Sequence, residues 1–426
     1  MPETKPSRIP SHPVETPFRK IATPLPAPES ESVLADHELY EALPVGGQPP
    51  IVWDHAEGFH IYDVAGNKWI DFTSGVLVTN SGHGRKEVVE AIIEQAKKPL
   101  LHSFGFANKA RIALAKRLVE LTPAVLTKVF LLTTGSESTE CAIKLMRTHG
   151  RRIRTDKSVI VSFEHGFHGR TLGSTTATAQ PKYHEGLGPL MAGFNYAPFG
   201  DLDAVKKLID DQTAAIMIEP IQGEGGIRIP PEDFLPSLRQ LCDENDLLLI
   251  FDEVQSGCGR TGSWFAYQDF GVTPDVMTLA KSLCGGIAGG AMLTTAEIAP
   301  SLRPGMHAAT FGGNPIAARA GIAAIEMIER EGLLENARRL GEQFEQRLAP
   351  LVDELPVVED VRVQGLMIGI ELNLDGGPVV QACMDRSLLV NCTQGTVVRL
   401  LPAMNLSDEQ LDEGCAILID AIKTLT

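Results

Sequence analysis

The sequence predicts an α/β fold, with a largely parallel β-sheet covered by helices and a smaller α+β domain in addition. From Lys128 onward, short apolar runs alternate with segments of helical spacing. Strands separated by helices form parallel sheets whose faces are both covered. After Pro315 the pattern changes to long helices, then short strands and a last helix. A chain of 426 residues is long enough for two or three units with sizeable cores.

The N-terminal region is set apart by its proline content. Eleven prolines fall within the first fifty residues, and proline at that density excludes a continuous helix or a central strand. We therefore expect residues 1–50 to form an extended arm, either partly disordered or draped over a neighbouring subunit. From 51 to 72, short alternating strands around a Gly66-Asn67 turn predict a hairpin or meander.

The other elements follow from hydrophobic spacing. Candidate strands are 128–132, 158–163, 214–219, 247–252, 276–280 and 290–294, with short strands within 361–372 and at 397–400. Candidate helices are 85–98, 109–121, 136–147, 202–210, 231–245, 316–330, 333–353 and one that begins at Asp408. We assign 51–75 and 326–426 to the two parts of a small domain, and 76–325 to a large ligand-binding domain.

Composition excludes several classes of function. The formal net charge of -16 argues against nucleic acid or an anionic membrane as partner, because both require a basic surface. The sequence contains no apolar run of membrane-spanning length and no secretory signal near its start. Its seven cysteines are scattered and never form a C-x-x-C pair, which is typical of reduced thiols. We expect a cytoplasmic globular protein.

Two neighbouring apolar runs are each followed by residues whose side chains are reactive or can bind a ligand. The run 247–251 is followed by Asp252 and Gln255, and the run 276–280 ends on Lys281. Ligands of open α/β sheets bind beyond the carboxyl ends of such strands, so we expect these three side chains to converge. A lysine in a dry crevice can form a Schiff base, and a carboxylate can keep a pyridinium nitrogen protonated. This pair is the minimum for pyridoxal phosphate chemistry, although each residue alone is more often a surface charge or a turn cap.

Two further strand ends carry candidate ligand-binding loops. The small-residue turn 133–138 opens a helix and suits a phosphate, although Thr134 and Glu137 could simply form a capping box. In the loop 164–171, Phe167 could stack on a cofactor ring and Arg170 could hold a carboxylate, whereas a surface loop is the simpler interpretation. His165 and His168 lack a third metal ligand at a sensible spacing.

The remaining motifs are glycine-rich turns and one isolated arginine. The segment 219–226 places Glu219 and Glu224 among glycines, which allow close backbone approach or a sharp turn. Residues 257–262 read G-x-G-x-x-G, but the aromatic segment that follows does not predict the helix that a dinucleotide site requires. Arg399 lies in an apolar strand and needs an anionic partner, for which Glu224 is a candidate.

Taken together, the motifs resemble those of the class III (omega-amino-acid or ornithine-type) aminotransferases, which are pyridoxal phosphate enzymes of fold type I. The resemblance extends from about Ile51 to the C-terminus. Its most specific parts, in order, are Phe167-His168-Gly169-Arg170-Thr171, Glu219-Pro220-Ile221-Gln222-Gly223-Glu224, Phe251-Asp252-Glu253-Val254-Gln255, Gly259-Arg260-Thr261-Gly262 and Thr310-Phe311-Gly312-Gly313-Asn314-Pro315. The family's fold implies a mostly parallel seven-stranded sheet flanked by helices.

The resemblance implies roles for individual residues. Lys281 matches the Schiff-base lysine, and Asp252 matches the partner of the pyridine nitrogen. The other matches to cofactor-binding positions are Gly135 and Ser136 at the phosphate, Phe167 on the ring, Gln255 near its phenolic oxygen, and His168 and Glu219 beside them. Thr310 matches a phosphate ligand donated by the neighbouring subunit, which implies a homodimer with shared active sites.

The resemblance also implies a substrate class. Arg170 looks like the arginine that binds a donor carboxylate, while Glu224 and Arg399 look like the pair that frees Arg399 for glutamate or 2-oxoglutarate. Where relatives often have Gly-His-x-His-Pro, this chain has Gly82-His83-Gly84-Arg85-Lys86. We expect ping-pong transamination of an amino acid or omega-amino donor with 2-oxoglutarate or pyruvate. A decarboxylase, an aminomutase and a racemase or epimerase are alternatives with the same cofactor, and an NAD-dependent dehydrogenase is a distant one.

Overall fold

The computed structural model describes residues 13–42 and 49–425. The chain divides into two compact units. The larger unit comprises Leu77–Ser81 and Lys86–Arg338, and the smaller unit comprises the described residues up to Val76, Gly82–Arg85 and those from Arg339 onward. The division falls within one helix, Leu333–Leu348.

The strands, in chain order, are β1 (Val14–Glu15), β2 (Lys20–Ile21), β3 (Trp53–Glu57), β4 (His60–Asp63), β5 (Lys68–Asp71), β6 (Lys128–Leu132), β7 (Val159–Phe163), β8 (Phe194–Ala197), β9 (Thr213–Ile218), β10 (Leu248–Asp252), β11 (Val276–Leu279), β12 (Gly290–Thr294), β13 (Val358–Gln364), β14 (Met367–Leu372), β15 (Leu388–Leu389), β16 (Asn391–Thr393) and β17 (Val397–Leu400). The α-helices are Glu31–Tyr40, Lys86–Ala96, Lys109–Leu121, Gly135–Ile153, Leu172–Ala177, Pro181–His184, Leu202–Leu208, Phe234–Glu244, Pro315–Arg330, Leu333–Leu348, Leu351–Glu354, Gly377–Met384 and Asp408–Lys423. Short 3₁₀ helices lie at Pro28–Ser30, Ala266–Gln268, Lys281–Cys284 and Ala299–Ser301.

The larger unit is built on a seven-stranded sheet. Its strand order is β6-β12-β11-β10-β9-β7-β8. Only β12 runs against its neighbours β6 and β11, so the predicted mostly parallel seven-stranded sheet is confirmed. Every residue of β9, β10 and β11 is buried, as expected for central strands covered on both faces.

Alternate residues of the central strand belong to different hydrophobic cores. Leu249 and Phe251 of β10 pack into one cluster, together with residues of helix Phe234–Glu244. Leu248 and Ile250 pack into the second cluster, with residues of helix Gly135–Ile153. Because strand side chains alternate between faces, helices on both sides bury β10 completely. The strand ends at Asp252, which is its first polar residue.

The smaller unit contains two sheets. In the first, the strands are ordered β1-β2-β5-β4-β3 and β15 pairs in parallel with β5. The second is the antiparallel sheet β13-β14-β17-β16. Phe72 is fully buried in this unit, edge-on to Phe344 at 5.5 Å between ring centroids. A Cβ on Gly414 would be only 2.2 Å from the Phe72 ring, so helix Asp408–Lys423 needs glycine there to pack this closely.

The described part of the N-terminal region is more ordered than the extended arm that we predicted. β1 and β2 form a hairpin that joins the sheet at β5, and Arg19 donates to Glu413 at 2.6 Å. The helix Glu31–Tyr40 corrects the prediction, since no proline falls between Pro28 and Pro44. Residues 1–12 and 43–48 of the predicted arm lie outside the described residues.

All seven cysteines lie within the described residues as free thiols, and only Cys392 is not fully buried. Burial raises the pKa of the other six thiols to about 12. Among the described helices, none has the length and apolar character needed to cross a bilayer.

Candidate active site

Asp252, the last residue of β10, is a buried carboxylate held on both oxygens. Its Oδ1 accepts hydrogen bonds from Thr278 Oγ1 at 2.8 Å and from the Val254 N–H at 3.2 Å. Its Oδ2 lies 2.7 Å from His168 Nδ1. Thr278 is the register partner of Asp252 on β11, so the sheet itself sets this contact. With 3% exposure, Asp252 presents a charge whose orientation is fixed by protein groups.

His168 links this carboxylate to the loop after β7. Its backbone N–H donates to Thr178 Oγ1 at 2.8 Å, and its backbone carbonyl accepts from Thr139 Oγ1 at 2.8 Å. Burial alone would lower the pKa of the imidazole, but the hydrogen bond and charge of Asp252, together with the charge of Glu219, raise it above its ordinary value. The protonated form of the ring is therefore favoured, and in that form it makes a charge-assisted hydrogen bond to Asp252.

Glu219, just after β9, ties two glycine-containing loops together. Its Oε1 accepts from the Phe167 N–H at 2.8 Å, and its Oε2 accepts from the Gly223 N–H at 3.1 Å. Burial raises the pKa of this carboxyl to about 7, against the opposing effect of His168. Glu219 thus holds the backbone of Phe167 in place.

Lys281 lies two residues after the last residue of β11 and has an unusual backbone conformation. Its φ is +47°, in the left-handed region that residues other than glycine seldom adopt. The residue is half-buried and opens the 3₁₀ helix Lys281–Cys284. β10 and β11 are adjacent parallel strands, so Asp252 and Lys281 follow the carboxyl ends of neighbouring strands, as we predicted. Backbone strain of this kind concentrates at functional sites.

The start of helix Gly135–Ile153 has both features that the sequence suggested. The capping box forms, with Thr134 and Glu137 each accepting from the other's backbone. Gly135 and Ser136 form the first turn of the helix, where backbone N–H groups attract anions. Ser136 Oγ accepts from the Arg170 N–H at 3.0 Å. A Cβ on Gly169 would lie 2.4 Å from that oxygen, so the loop after β7 packs directly against this helix start.

Gln255 is held beside the glycines that follow β9. It is 4% exposed, and its Nε2 lies 3.5 Å from Glu224 Oε1. Its Oε1 is buried with no hydrogen-bond partner among the described residues. Buried polar atoms are normally hydrogen-bonded, so this oxygen is suited to a ligand group that donates a hydrogen bond. A Cβ on Gly223 would be 2.0 Å from the same oxygen.

Arg170 is exposed and packs against two aromatic rings. Its guanidinium lies over the Tyr183 ring at 4.1 Å and over the Phe167 ring at 5.1 Å. Phe167 and Tyr183 pack edge to face at 5.9 Å. The sequence predicted Phe167 and Arg170 as ligand-binding residues but not this stacked arrangement, in which both are held by cation–π contacts.

The last three predicted site residues are placed differently from those above. Thr310 is exposed in the loop before helix Pro315–Arg330. Glu224 is half-buried in the larger unit. Arg399 belongs to the smaller unit, where it is 2% exposed and donates through Nε to Asn391 Oδ1 at 3.1 Å. The pairing of Glu224 with Arg399 stays a prediction.

The glycines of 257–262 lie in a loop that is not followed by a long helix. Gly259 and Gly262 have φ of +88° and +92°, and the next element is the single 3₁₀ turn Ala266–Gln268. A dinucleotide site needs a helix immediately after the third glycine, so this loop has a different role. Arg260, which is fully buried, donates to Asn80 Oδ1.

Several polar residues of the site were missed by sequence reasoning. They are Thr139, Thr178 and Thr278 around Asp252 and His168, and Asn80 and Ser282 near Lys281. One signal was available, because Thr278 interrupts the apolar run 276–280. The other residues act through contacts between distant segments, which spacing along the chain does not reveal.

Comparisons with known proteins give a consistent result. The family model for class-III aminotransferases matches residues 43–422. The acetylornithine aminotransferase of Methanocaldococcus jannaschii is 43% identical over 88% of this chain and 94% of its own. The ornithine aminotransferase of Toxoplasma gondii has a TM-score of 0.89 at 29% identity, covering 93% of this chain and 95% of that one. A second structure of the Toxoplasma enzyme, with a TM-score of 0.89 and 29% identity over 93% of this chain and 94% of that one, reveals partial occupancy of PLP at its active site.

Proposed function

This chain belongs to the class-III aminotransferase family, and we propose that its pyridoxal-phosphate-dependent transamination is carried out by Lys281 and Asp252. The observation that carries the assignment is their placement after adjacent parallel strands. The acid is buried and held by Thr278 and His168, while the lysine sits in a left-handed turn. The reaction moves an amino group from an amino donor to a keto acid.

The residues of the larger unit fit pyridoxal phosphate. Asp252 would hold the pyridine nitrogen, and Lys281 the aldehyde carbon. The helix start at Gly135 and Ser136 would bind the phosphate, and Gln255, which is buried at the edge of the site, would lie near the phenolic oxygen. When bound, this cofactor supplies an electron sink for the charge left on the donor carbon when a bond to it breaks.

The protein side chains provide the proton transfers. The amine Nζ of Lys281 acts as general base and then as general acid, moving one proton between the donor carbon and the cofactor. Asp252 keeps a proton on the ring nitrogen, and His168 donates to the same carboxylate, which keeps it oriented. Phe167 and Glu219 shape the wall of the site, since Glu219 fixes the backbone of Phe167.

We propose an omega-amino acid of the acetylornithine type as donor and 2-oxoglutarate as acceptor. The relatives named for acetylornithine, at 43% and 44% identity, support the donor. Arg170 and Arg399 would take the carboxylates, and Glu224 would neutralise Arg399 when the donor is bound. A panel of donors and keto acids, assayed for both products, tests this directly. Carbon dioxide or an inverted amino acid formed without a keto acid would favour the decarboxylase or racemase alternative.

Replacing Lys281 with alanine tests the assignment of the reacting centre. We expect Lys281→Ala to lose turnover by at least about 10³-fold, because no other group moves the proton. Lys206→Ala, which removes an exposed lysine paired with Asp203, is the matched control and should keep full activity. Near-normal turnover by Lys281→Ala would refute the role of this lysine.

We also propose a homodimer. Leu101, Phe104, Phe106 and Phe311 expose 61%, 49%, 76% and 60% of their surface, and the His102 and Phe311 rings lie 6.2 Å apart. Large exposed apolar patches mark protein interfaces. Phe311 follows Thr310, the residue assigned to a neighbouring subunit's cofactor.

Sedimentation velocity tests the dimer. Phe106→Asp should shift the protein to monomers and weaken cofactor retention, whereas Val125→Asp, at an exposed residue away from this patch in the sequence, should not. If Phe106→Asp formed dimers with the wild-type dimerisation affinity, this patch would not be the interface.

We propose the cytoplasm as the location, because seven free thiols suit a reducing compartment. Cell fractionation followed by immunodetection tests it. Recovery of the protein with the secreted fraction would contradict the proposal.

A further inference from the structure

We propose that Ser282 is a positioning residue for Lys281, acting through the segment Leu77–Ser81, an inference that rests on the role proposed above for Lys281. Ser282 is the residue after the lysine, and its side chain is directed back into the protein. It is 7% exposed. Its Oγ donates to the Leu77 carbonyl at 2.7 Å and accepts from the Asn80 N–H at 3.1 Å.

These two hydrogen bonds restrain a conformation that the chain would otherwise leave. A lysine with φ of +47° costs free energy and persists only where its surroundings hold it. Within the turn itself, the Leu283 N–H donates to the Ala280 carbonyl at 2.9 Å. The side chain of Ser282 adds an anchor on a distant segment, and that anchor fixes the backbone from which the Lys281 side chain extends.

The same segment also holds the loop that follows Asp252. Asn80, which is 2% exposed, donates through Nδ2 to the carbonyls of Gly257 and Cys258 at 3.4 and 3.2 Å. Its Oδ1 accepts from the buried Arg260. Residues 257–260 follow β10, and Lys281 follows β11. One five-residue segment therefore ties the loop after the acid to the turn that carries the amine.

The consequence is a fixed position for the amine relative to the acid. Attack on an aldehyde and proton transfer both require the reacting atoms to be within about 3–3.5 Å, and a displacement of about 1 Å can cost ~10²-fold in rate. Ser282 touches neither substrate nor cofactor in this account. Its loss should therefore slow the reaction of Lys281 while leaving the binding surface for the cofactor intact.

A trapping experiment on the full-length protein separates these two quantities. The protein is stripped of cofactor with hydroxylamine, mixed with pyridoxal phosphate at several concentrations, and reduced with borohydride at timed intervals. Peptide mass spectrometry then measures the label on Lys281. We expect Ser282→Ala to lower the saturating rate constant of labelling by about tenfold or more, with a half-saturating concentration within about twofold of wild type. Ser282→Thr, which keeps the hydroxyl, should restore the rate.

The control removes a buried hydroxyl elsewhere in the larger unit. Thr294, which is 2% exposed, donates to the Asp275 carbonyl at 3.0 Å, and Thr294→Val should label at the wild-type rate. Should Ser282→Ala fail to fold, Ser282→Cys takes its place and is expected to be slower than Ser282→Thr. Wild-type labelling of Ser282→Ala or Ser282→Cys, or slow labelling of Ser282→Thr, overturns the inference. Absence of label on Lys281 in the wild-type protein would instead refute the proposed function.

Discussion

Gly223 is the residue at which the packing of the site is tightest. A Cβ there would lie 2.0 Å from Gln255 Oε1 and 2.5 Å from its Cδ, and Gln255 is itself buried. We expect Gly223→Ala to displace the amide and to weaken binding of pyridoxal phosphate by about tenfold, since overpacking costs roughly 1–3 kcal/mol. Equilibrium titration of the stripped protein measures this.

Gly377→Ala is the matched control for that substitution. Its Cβ would approach only the end of the Asp375 side chain, at 3.3 Å, in the smaller unit. An unchanged dissociation constant in Gly223→Ala would show that Gln255 does not contribute to cofactor binding.

Glu253 gives the protein a pH-dependent stability. Its carboxylate accepts from the N–H groups of Ala266 and Tyr267 at 3.0 and 2.8 Å, yet burial raises its pKa from 4.5 to about 7. The folded state therefore binds this proton more tightly than the unfolded state. Its stabilising contribution is complete below about pH 4.5 and is lost as the pH rises through about 7.

Between pH 4.5 and 7, we expect the unfolding free energy of Glu253→Gln to fall by roughly 3 kcal/mol less than that of the wild type. This figure follows from about 1.4 kcal/mol per pKa unit. Urea unfolding at several pH values measures the slope, to which Glu219 contributes with the same sign. Glu185→Gln, at an exposed residue, should leave the slope unchanged. The idea fails if Glu253→Gln has the wild-type slope.

Sequence reasoning at the level of single residues succeeded where a pattern marks the residue. Asp252 and Lys281 stand out because each ends an apolar run. The short distance between Gly223 and Gln255 has no such mark, because 32 positions separate them in the chain. The stacking of Arg170 on Tyr183 depends on the path of the intervening loop, which residue types alone do not specify.

Among the elements, the start of helix Gly135–Ile153 makes the clearest prediction. Thr134 caps it, accepting from the Glu137 N–H at 3.2 Å. We expect Thr134→Ala to destabilise the protein by about 1 kcal/mol and to weaken phosphate binding by loosening the first turn. Thermal unfolding and cofactor titration measure the two effects.

The control lies within the same helix. Thr148 donates from its hydroxyl to the Lys144 carbonyl at 2.8 Å, and this contact adds little to a helix interior. Thr148→Ala should therefore change the midpoint of unfolding by less than Thr134→Ala does. Equal effects of the two substitutions would contradict a special role for the cap.

Elements were predicted well where apolar runs end at clear breaks and poorly where a strand is short and lies at the sheet edge. Strands β6, β12 and β17 have the predicted bounds, because apolar runs there end at clear breaks. β8 was missed, since it is a short edge strand of Phe-Asn-Tyr-Ala that is only half-buried over its first three residues. The predicted helix 333–353 ends at Leu348, because Pro350 cannot continue it.

At the scale of the whole molecule, the described N-terminal residues from 13 onward are part of the smaller unit and not an addition to it. Ile21 is 2% exposed and packs in one cluster with Trp69 and Leu25. This packing lies N-terminal to the range 43–422 that the family model matches. We expect Ile21→Ala to lower the unfolding free energy by about 2–5 kcal/mol, and removal of residues 1–27 to destabilise the protein further.

Chemical denaturation of each variant measures these losses. Leu39→Ala, at a residue that is 69% exposed, should be nearly neutral. If the shortened chain unfolded at the wild-type denaturant concentration, the N-terminal hairpin would not support the sheet.

The buried cysteines can be used to detect local unfolding of the protein. An aromatic disulfide reagent reacts with thiolates, so in the native protein it would find Cys392 first and the other six sulfur atoms only after the chain has opened around them. The amount of yellow product released beyond the first equivalent would then measure how many buried thiols have become accessible. Because the seven positions are spread from Cys141 to Cys415, the order in which they react would rank the regions of both units by how readily they open.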